Sequence, residues 1–210
     1  MARLGLLGGT FNPPHMAHLV CAQEAYVQLG LDRVLLVPAG VPPHKEVEGD
    51  PGVAHRLAMC EAAVAGDDRL GVSRADVERT GPAYTVELLR ALRAAAPDDE
   101  LTFVVGGDMA ASLPAWREPE AVLALARLAV AEREGVRRGD IAERLAGLSD
   151  EDALERVVFF DMPRLDISSS LLRRRAAAGI SLRYLVPDPV ADYIRQQGLY
   201  TARLSSSASA

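Results

Sequence analysis

The chain has 210 residues, 49% hydrophobic and 25% charged, a balance that fits one soluble domain with a sizeable core. A formal net charge of −6 argues against a general nucleic-acid binder but leaves room for a local basic pocket that takes a nucleotide. No apolar run is long enough for a bilayer, and strand-like sequence already begins at Arg3 in place of a signal peptide, so the expected address is cytoplasmic with no membrane partner.

In chain order, Arg3–Gly8 reads as a buried strand that runs into Gly8-Gly9-Thr10-Phe11-Asn12-Pro13-Pro14-His15-Met16-Ala17-His18. Leu19, Ala22, Ala25, Tyr26 and Leu29 recur at helical spacing and predict a helix over Met16–Leu29, stopped by Gly30. Arg33–Val37 is a second buried strand, and Ala39–Pro51 a Pro/Gly-rich loop too long for a simple connector. Gly52–Ala65 reads as a helix, Leu70–Val72 as a short strand, and Thr85–Ala96 as a helix. Leu101–Val105 is a fourth strand leading into Gly106-Gly107-Asp108, followed by a helix over Glu118–Leu125 and a strand over Leu128–Ala131. Glu132–Glu155 carries at most one helix, about Asp140–Leu145. A sixth strand over Val157–Phe160 precedes an arginine-rich helix over Ser168–Ala178, with Ser168 or Asp166 as its cap, and a final helix over Pro189–Gln197. Residues 201–210 are Ser/Ala-rich and expected to be a disordered tail.

Strands alternating with helices predict an α/β fold: a Rossmann-like, doubly wound parallel sheet with helices on both faces. It forms one domain over residues 1–200 with a small C-terminal helical part. Ligands in such sheets sit at the carboxyl ends of the strands, where strand order reverses. Gly8–His18, Gly106–Asp108 and the Ser168 helix start all follow strands and belong to that edge.

Five segments carry candidate chemistry. Gly8–His18 offers glycines for close backbone approach, the Thr10 hydroxyl, and His15 and His18 as donors to phosphoryl oxygens. It has neither a Gly-x-Gly-x-x-Gly fingerprint nor a Walker lysine; a plain turn with two surface histidines, or a metal pair with no third ligand near, is the competing reading. Pro38–Lys45 ends in His44-Lys45, which holds the only lysine against 22 arginines, and competes with an ordinary exposed loop. At Tyr84-Thr85 a helix start could take a carboxylate or phosphate, or simply be capped. Asp108 at a strand end could hold a ribose hydroxyl, and Trp116, the only tryptophan, could stack on a heteroaromatic ring or close the core edge. Asp166–Arg175 sets serines at a helix start with Arg173 one turn on, an anion clamp; Arg174 and Arg175 read as a solvated basic face. Cys21 and Cys60, in apolar helical surroundings, read as buried free thiols rather than a disulfide or zinc framework.

Taken together, these segments resemble the bacterial nicotinate mononucleotide adenylyltransferases, of the nucleotidyltransferase superfamily marked by a His-x-Gly-His loop and an Ile-Ser-Ser-Thr-x-x-Arg helix start. Gly8–His18 matches the first motif and Ile167–Arg173 the last. Pro42-Pro43-His44-Lys45, His55-Arg56, Tyr84-Thr85, Gly106–Asp108, Leu113–Trp116 and Leu185-Val186-Pro187 fall in the family's order between Leu4 and about Tyr200. Ala17 stands where the loop usually has Gly, Asn12 where Asp is common, and Ser170 where Thr is usual.

The resemblance implies adenylyl transfer from ATP to nicotinate mononucleotide in NAD biosynthesis, with Mg²⁺ held mainly by ATP and no protein metal ligands. His15, His18 and Arg173 would be catalytic. Gly8, Gly9, Thr10, Phe11, Gly106, Asp108, Ile167, Ser168 and Ser169 would join them around ATP, and Asn12, His44, Lys45, Tyr84, Thr85, Trp116 and Arg133 would hold the mononucleotide. Partners would be these two small molecules and no nucleic acid, with a homo-oligomer left open. The same chemistry on nicotinamide mononucleotide, and a non-catalytic nucleotide-binding regulator, are the alternatives.

Overall fold

A computed structural model describes residues 1–40, 49–132, 138–145 and 155–201. The strands are β1 (Arg3–Gly9), β2 (Arg33–Pro38), β3 (Leu70–Val72), β4 (Glu100–Gly106), β5 (Arg127–Glu132) and β6 (Val157–Asp161). They form one six-stranded sheet in the order β3-β2-β1-β4-β5-β6, with every pairing parallel. Each strand is a short, nearly continuous apolar run, as a strand covered on both faces requires. Successive side chains feed opposite layers: Leu6, Leu101, Phe103 and Val105 join one core cluster, and Leu7, Leu36 and Val104 the other.

The helices are α1 (Met16–Gln28), α2 (Val53–Val64), α3 (Thr85–Ala95), α4 (Gly107–Ala111), α5 (Pro119–Leu125), α6 (Arg138–Leu145), α7 (Ser169–Ala177) and α8 (Asp188–Gln196). Apolar residues of α1 pack on one face of the sheet; those of α3, α5 and α6 pack on the other. A third cluster joins Met59 of α2 to Leu172 of α7 and to Val190 and Ile194 of α8, and forms the small C-terminal helical part. No helix among the described residues is long and apolar enough to cross a membrane.

The chain winds β1-α1-β2-α2-β3 outward, then returns through α3 to lay β4 against the free edge of β1. The order therefore reverses between β1 and β4. There the connections leave toward opposite faces and open a crevice at the carboxyl edge. Sequence periodicity located every strand and long helix to within a residue or two. It did not foresee α4 or the 3₁₀ turn Leu113–Ala115, both too short for a periodic signal. The expected tail falls on residues that, apart from Thr201, lie outside those described.

Candidate active site

At the reversal point lies a cavity of about 430 Å³. Its walls come from the end of β1 (Leu7–Thr10), the first turns of α1 (Ala17, His18, Cys21), the end of β2, the start of α3, and the β4–α4 junction with Trp116.

The loop after β1 is built around two imidazoles. His15 is the extended N-cap residue of α1, and His18 is its third residue. The His15 backbone N–H donates to His18 Nδ1 at 3.2 Å, and the rings stack with centroids 3.7 Å apart. An Nδ1 that accepts carries a lone pair, so in the neutral ring the proton resides on Nε2. His18 borders the cavity, while His15 is buried and does not border it. The edge of Phe11 braces His18, centroids 4.9 Å apart.

Gly8 and Gly9 answer first to packing. A Cβ on Gly8 would come within 2.9 Å of the Phe103 ring, and one on Gly9 within 3.0 Å of the Phe11 ring. Phe11 itself adopts φ +50°, and an αL residue in such a loop turns successive N–H groups toward one concavity. The N–H groups of Thr10 and Phe11 meet no acceptor among the described residues, so this turn keeps donors for an anion.

The start of α7 reaches the same loop. Ser168 caps the helix, its Oγ accepting from the Leu171 N–H at 3.2 Å; Asp166 instead pairs with Arg164. The Ser169 hydroxyl donates to the Pro13 carbonyl at 2.9 Å. Arg173 donates through Nη1 to the Asn12 carbonyl at 3.0 Å and through Nη2 to Ser170 Oγ at 3.2 Å. Both acceptors are neutral, and among the described residues Arg173 has no carboxylate partner, so its charge remains for an anion. Arg174 is exposed as expected, whereas Arg175 closes the next turn by donating twice to the Ser181 carbonyl. Asn12 is fully buried; its Oδ1 accepts from the Tyr200 hydroxyl, whose pKa burial pushes up.

The opposite wall is apolar. Trp116 stands half-buried, edge-on to Phe103 at 6.1 Å, its indole N–H donating to Ser112 Oγ at 3.0 Å. Ala83 and Thr85, at the start of α3, border the cavity beside it, as do Gly106 and Met109. Tyr84 is the N-cap residue of α3; its ring lies under Arg117 at 4.9 Å, outside the cavity lining. Asp108 is exposed in the first turn of α4, also outside it. His44, Lys45 and Arg133 lie outside the described residues.

Three features went unassigned from the residues alone. Arg56, which entered only as half of the His55-Arg56 pair in the family resemblance, is 1% exposed. Asp76 borders the cavity and accepts from the Gly40 N–H at 2.9 Å. Cys21 is a free buried thiol, as expected, but it borders the cavity.

Comparison with known proteins adds to this geometry. Residues 6–175 match the family described as Cytidylyltransferase-like. The chain is 43% identical over 200 residues to a "Probable nicotinate-nucleotide adenylyltransferase" of Thermomicrobium roseum, covering 95% of this chain and 92% of that one. It is 41% identical over 198 residues to a protein of the same name from Synechococcus sp., covering 94% of each. Among solved structures, the nicotinic acid mononucleotide adenylyltransferase of Plasmodium falciparum complexed with NaAD superposes with a TM-score of 0.73 at 18% identity, over 95% of this chain and 98% of that one. A putative nicotinate-nucleotide adenylyltransferase of Vibrio parahaemolyticus gives 0.62 at 19%, over 95% and 96%. At such identities the structural likeness speaks to the fold.

Proposed function

We propose that this chain, which belongs to the Cytidylyltransferase-like family and within it to the nicotinate-nucleotide adenylyltransferases, transfers the adenylyl group of ATP to nicotinate mononucleotide. The products are nicotinate adenine dinucleotide and pyrophosphate, and the place of the reaction is NAD biosynthesis in the cytoplasm. The observation that carries the reading is the two-sided cavity at the β1/β4 reversal: the end of β1 with Thr10 and the His18 imidazole on one side, an indole and a helix start on the other.

A phosphate oxygen of the mononucleotide attacks the α-phosphorus of ATP, the bond from that phosphorus to the bridging oxygen breaks, and pyrophosphate leaves. No protein nucleophile is needed, so the work is positioning and charge stabilisation. His18 Nε2–H and the Thr10 and Phe11 N–H groups hold phosphoryl oxygens, and Arg173 supplies positive charge near the leaving group. Mg²⁺ would come with ATP and would offset the charge of its phosphates. The donors of this site are N–H groups and cations, which suit oxygens rather than a metal, and among the described residues no three His, Cys, Asp or Glu side chains gather as a metal site. Trp116 takes the pyridine ring, and the free N–H groups at the start of α3 favour its carboxylate.

Pyrophosphate release, measured with ATP, Mg²⁺ and a panel of nicotinate mononucleotide, nicotinamide mononucleotide and phosphopantetheine, tests the reading. Release is expected with the nicotinate form, at least tenfold above the amide. Nucleotide binding without release for any acceptor would make the protein a regulator instead. Trp116→Ala is expected to raise the KM for the mononucleotide and leave that for ATP unchanged; equal losses for both would remove the stacking role.

A further inference from the structure

Arg56 is the largest fully buried side chain among the described residues, and it is charged. Taking a guanidinium out of water is costly unless every donor is met, and an apolar residue of similar volume usually stabilises a core at least as well. Its partners indicate another use. Nε donates to Asp50 Oδ1 at 3.1 Å, Nη1 to the Thr10 carbonyl at 3.1 Å and the Ala39 carbonyl at 2.7 Å, and Nη2 to the Gly40 carbonyl at 3.0 Å. Thr10 and Ala39 both border the cavity, at the ends of β1 and β2.

In a trans peptide the C=O and the following N–H point in opposite directions. Drawing the Thr10 carbonyl onto Arg56 therefore turns the Phe11 N–H away from Arg56, and that N–H is one of the donors with no acceptor among the described residues. The Ala39 carbonyl on Nη1 likewise sends the Gly40 N–H the other way, where it donates to Asp76 Oδ2 at 2.9 Å. Gly40 has no room for a side chain there, since a Cβ would sit 2.6 Å from the Asp76 carbonyl oxygen. One planar fork thus fixes two neighbouring peptide planes on the cavity wall.

We infer that Arg56 is a positioning residue for phosphate recognition: it sets the orientation of the Thr10–Phe11 peptide, whose N–H then binds a nucleotide phosphate. The inference rests on the proposed reaction. Lysine would keep the charge but cannot reproduce a fork aimed at four acceptors. The test is Arg56→Lys in the full chain, read by kcat, by KM, and by quenching of the single tryptophan, Trp116, with nicotinate mononucleotide and with its phosphate-free riboside. The expected result is a fall in kcat of at least tenfold and a mononucleotide affinity weakened at least fivefold, with the riboside moving less than twofold. A kcat within twofold of wild type, or equal weakening of both ligands, overturns the inference. Should Arg56→Lys fail to fold, Asp50→Asn removes the counter-ion that Arg56 has among the described residues while leaving the carbonyl partners. It is expected to weaken the mononucleotide at least threefold and spare the riboside, and an unselective loss or none overturns the inference just as well. A wild-type chain that releases no pyrophosphate refutes the reaction itself, which keeps the two failures apart.

Discussion

The two motifs at opposite ends of the chain meet in space but are engaged differently. In the loop Gly8–His18, His18 is oriented by backbone through Nδ1, and the Thr10 and Phe11 N–H groups meet no acceptor among the described residues. At the start of α7 the polar groups are already bonded, and largely to that loop, Ser169 to the Pro13 carbonyl and Arg173 to the Asn12 carbonyl. On the proposed reading the first motif would face the ligand, while the second braces the first through Ser169 and Arg173. Motif membership alone does not separate these roles; the hydrogen-bond partners do.

The largest effect is expected where the contrast is sharpest. His18→Ala removes a donor aimed at developing charge, a loss of roughly 3 kcal/mol or about 10²-fold in kcat, with little change in melting temperature because the ring is only partly buried. Turnover like that of the wild type would place the catalytic donor elsewhere. Arg173→Ala comes next. It removes two charge-assisted hydrogen bonds, worth about 2 kcal/mol or some 30-fold in kcat/KM for ATP. The informative partner is Arg173→Lys. If Arg173 braces the loop through two separate Nη groups, lysine recovers less than threefold; recovery to near wild type would show that charge alone matters and that α7 faces the ligand directly.

The architecture was legible in the sequence because it rests on local signals. Apolar runs marked the strands, helical spacing marked α1 and α3, Ser168 was one of two candidate caps, and β/α alternation led to the crevice at the strand-order reversal. The site was legible as a set of segments but less so as a set of contacts. Gly8 and Gly9 looked like phosphate glycines, yet what they most directly face is Phe103 and Phe11. Arg56 stood only as half of the His55-Arg56 pair, because helical periodicity says which face a residue is on and nothing about the carbonyls that gather on it. Ser169 and Arg173 looked like ligands for an anion, because a sequence does not reveal that Pro13 and Asn12 lie within hydrogen-bond reach. The contacts of Arg56 with Thr10, Ser169 with Pro13 and Arg173 with Asn12 span 46, 156 and 161 residues, which no local pattern encodes.

Ser169→Ala asks how much of the bracing one neutral bond provides. Losing the hydroxyl leaves the Pro13 carbonyl without that donor, at about 1 kcal/mol. The expected outcome is a fall of up to about fivefold in kcat/KM for ATP and a melting temperature lower by about 2–4 °C. A loss as large as that of His18→Ala would mean that Ser169 touches the reacting phosphates, and the division between the two motifs would fail.

The smallest effect is expected at Ala17, inside the open motif itself. The resembling family usually carries glycine here, and a methyl would matter if the backbone needed positive φ or if a phosphate had to touch it. Neither requirement is visible: Ala17 sits in the first turn of α1, away from the positive-φ residues, and is 1% exposed. Ala17→Gly then loses a well-buried methyl and adds backbone freedom in a helix, together about 1–2 kcal/mol, so the melting temperature falls by several degrees while kcat stays within twofold. Because Ala17 also borders the cavity, the opposite result has a definite meaning. A kcat that rises tenfold on removing the methyl would show that it stands in the path of the phosphate chain, and that this loop is only partly open to its ligand.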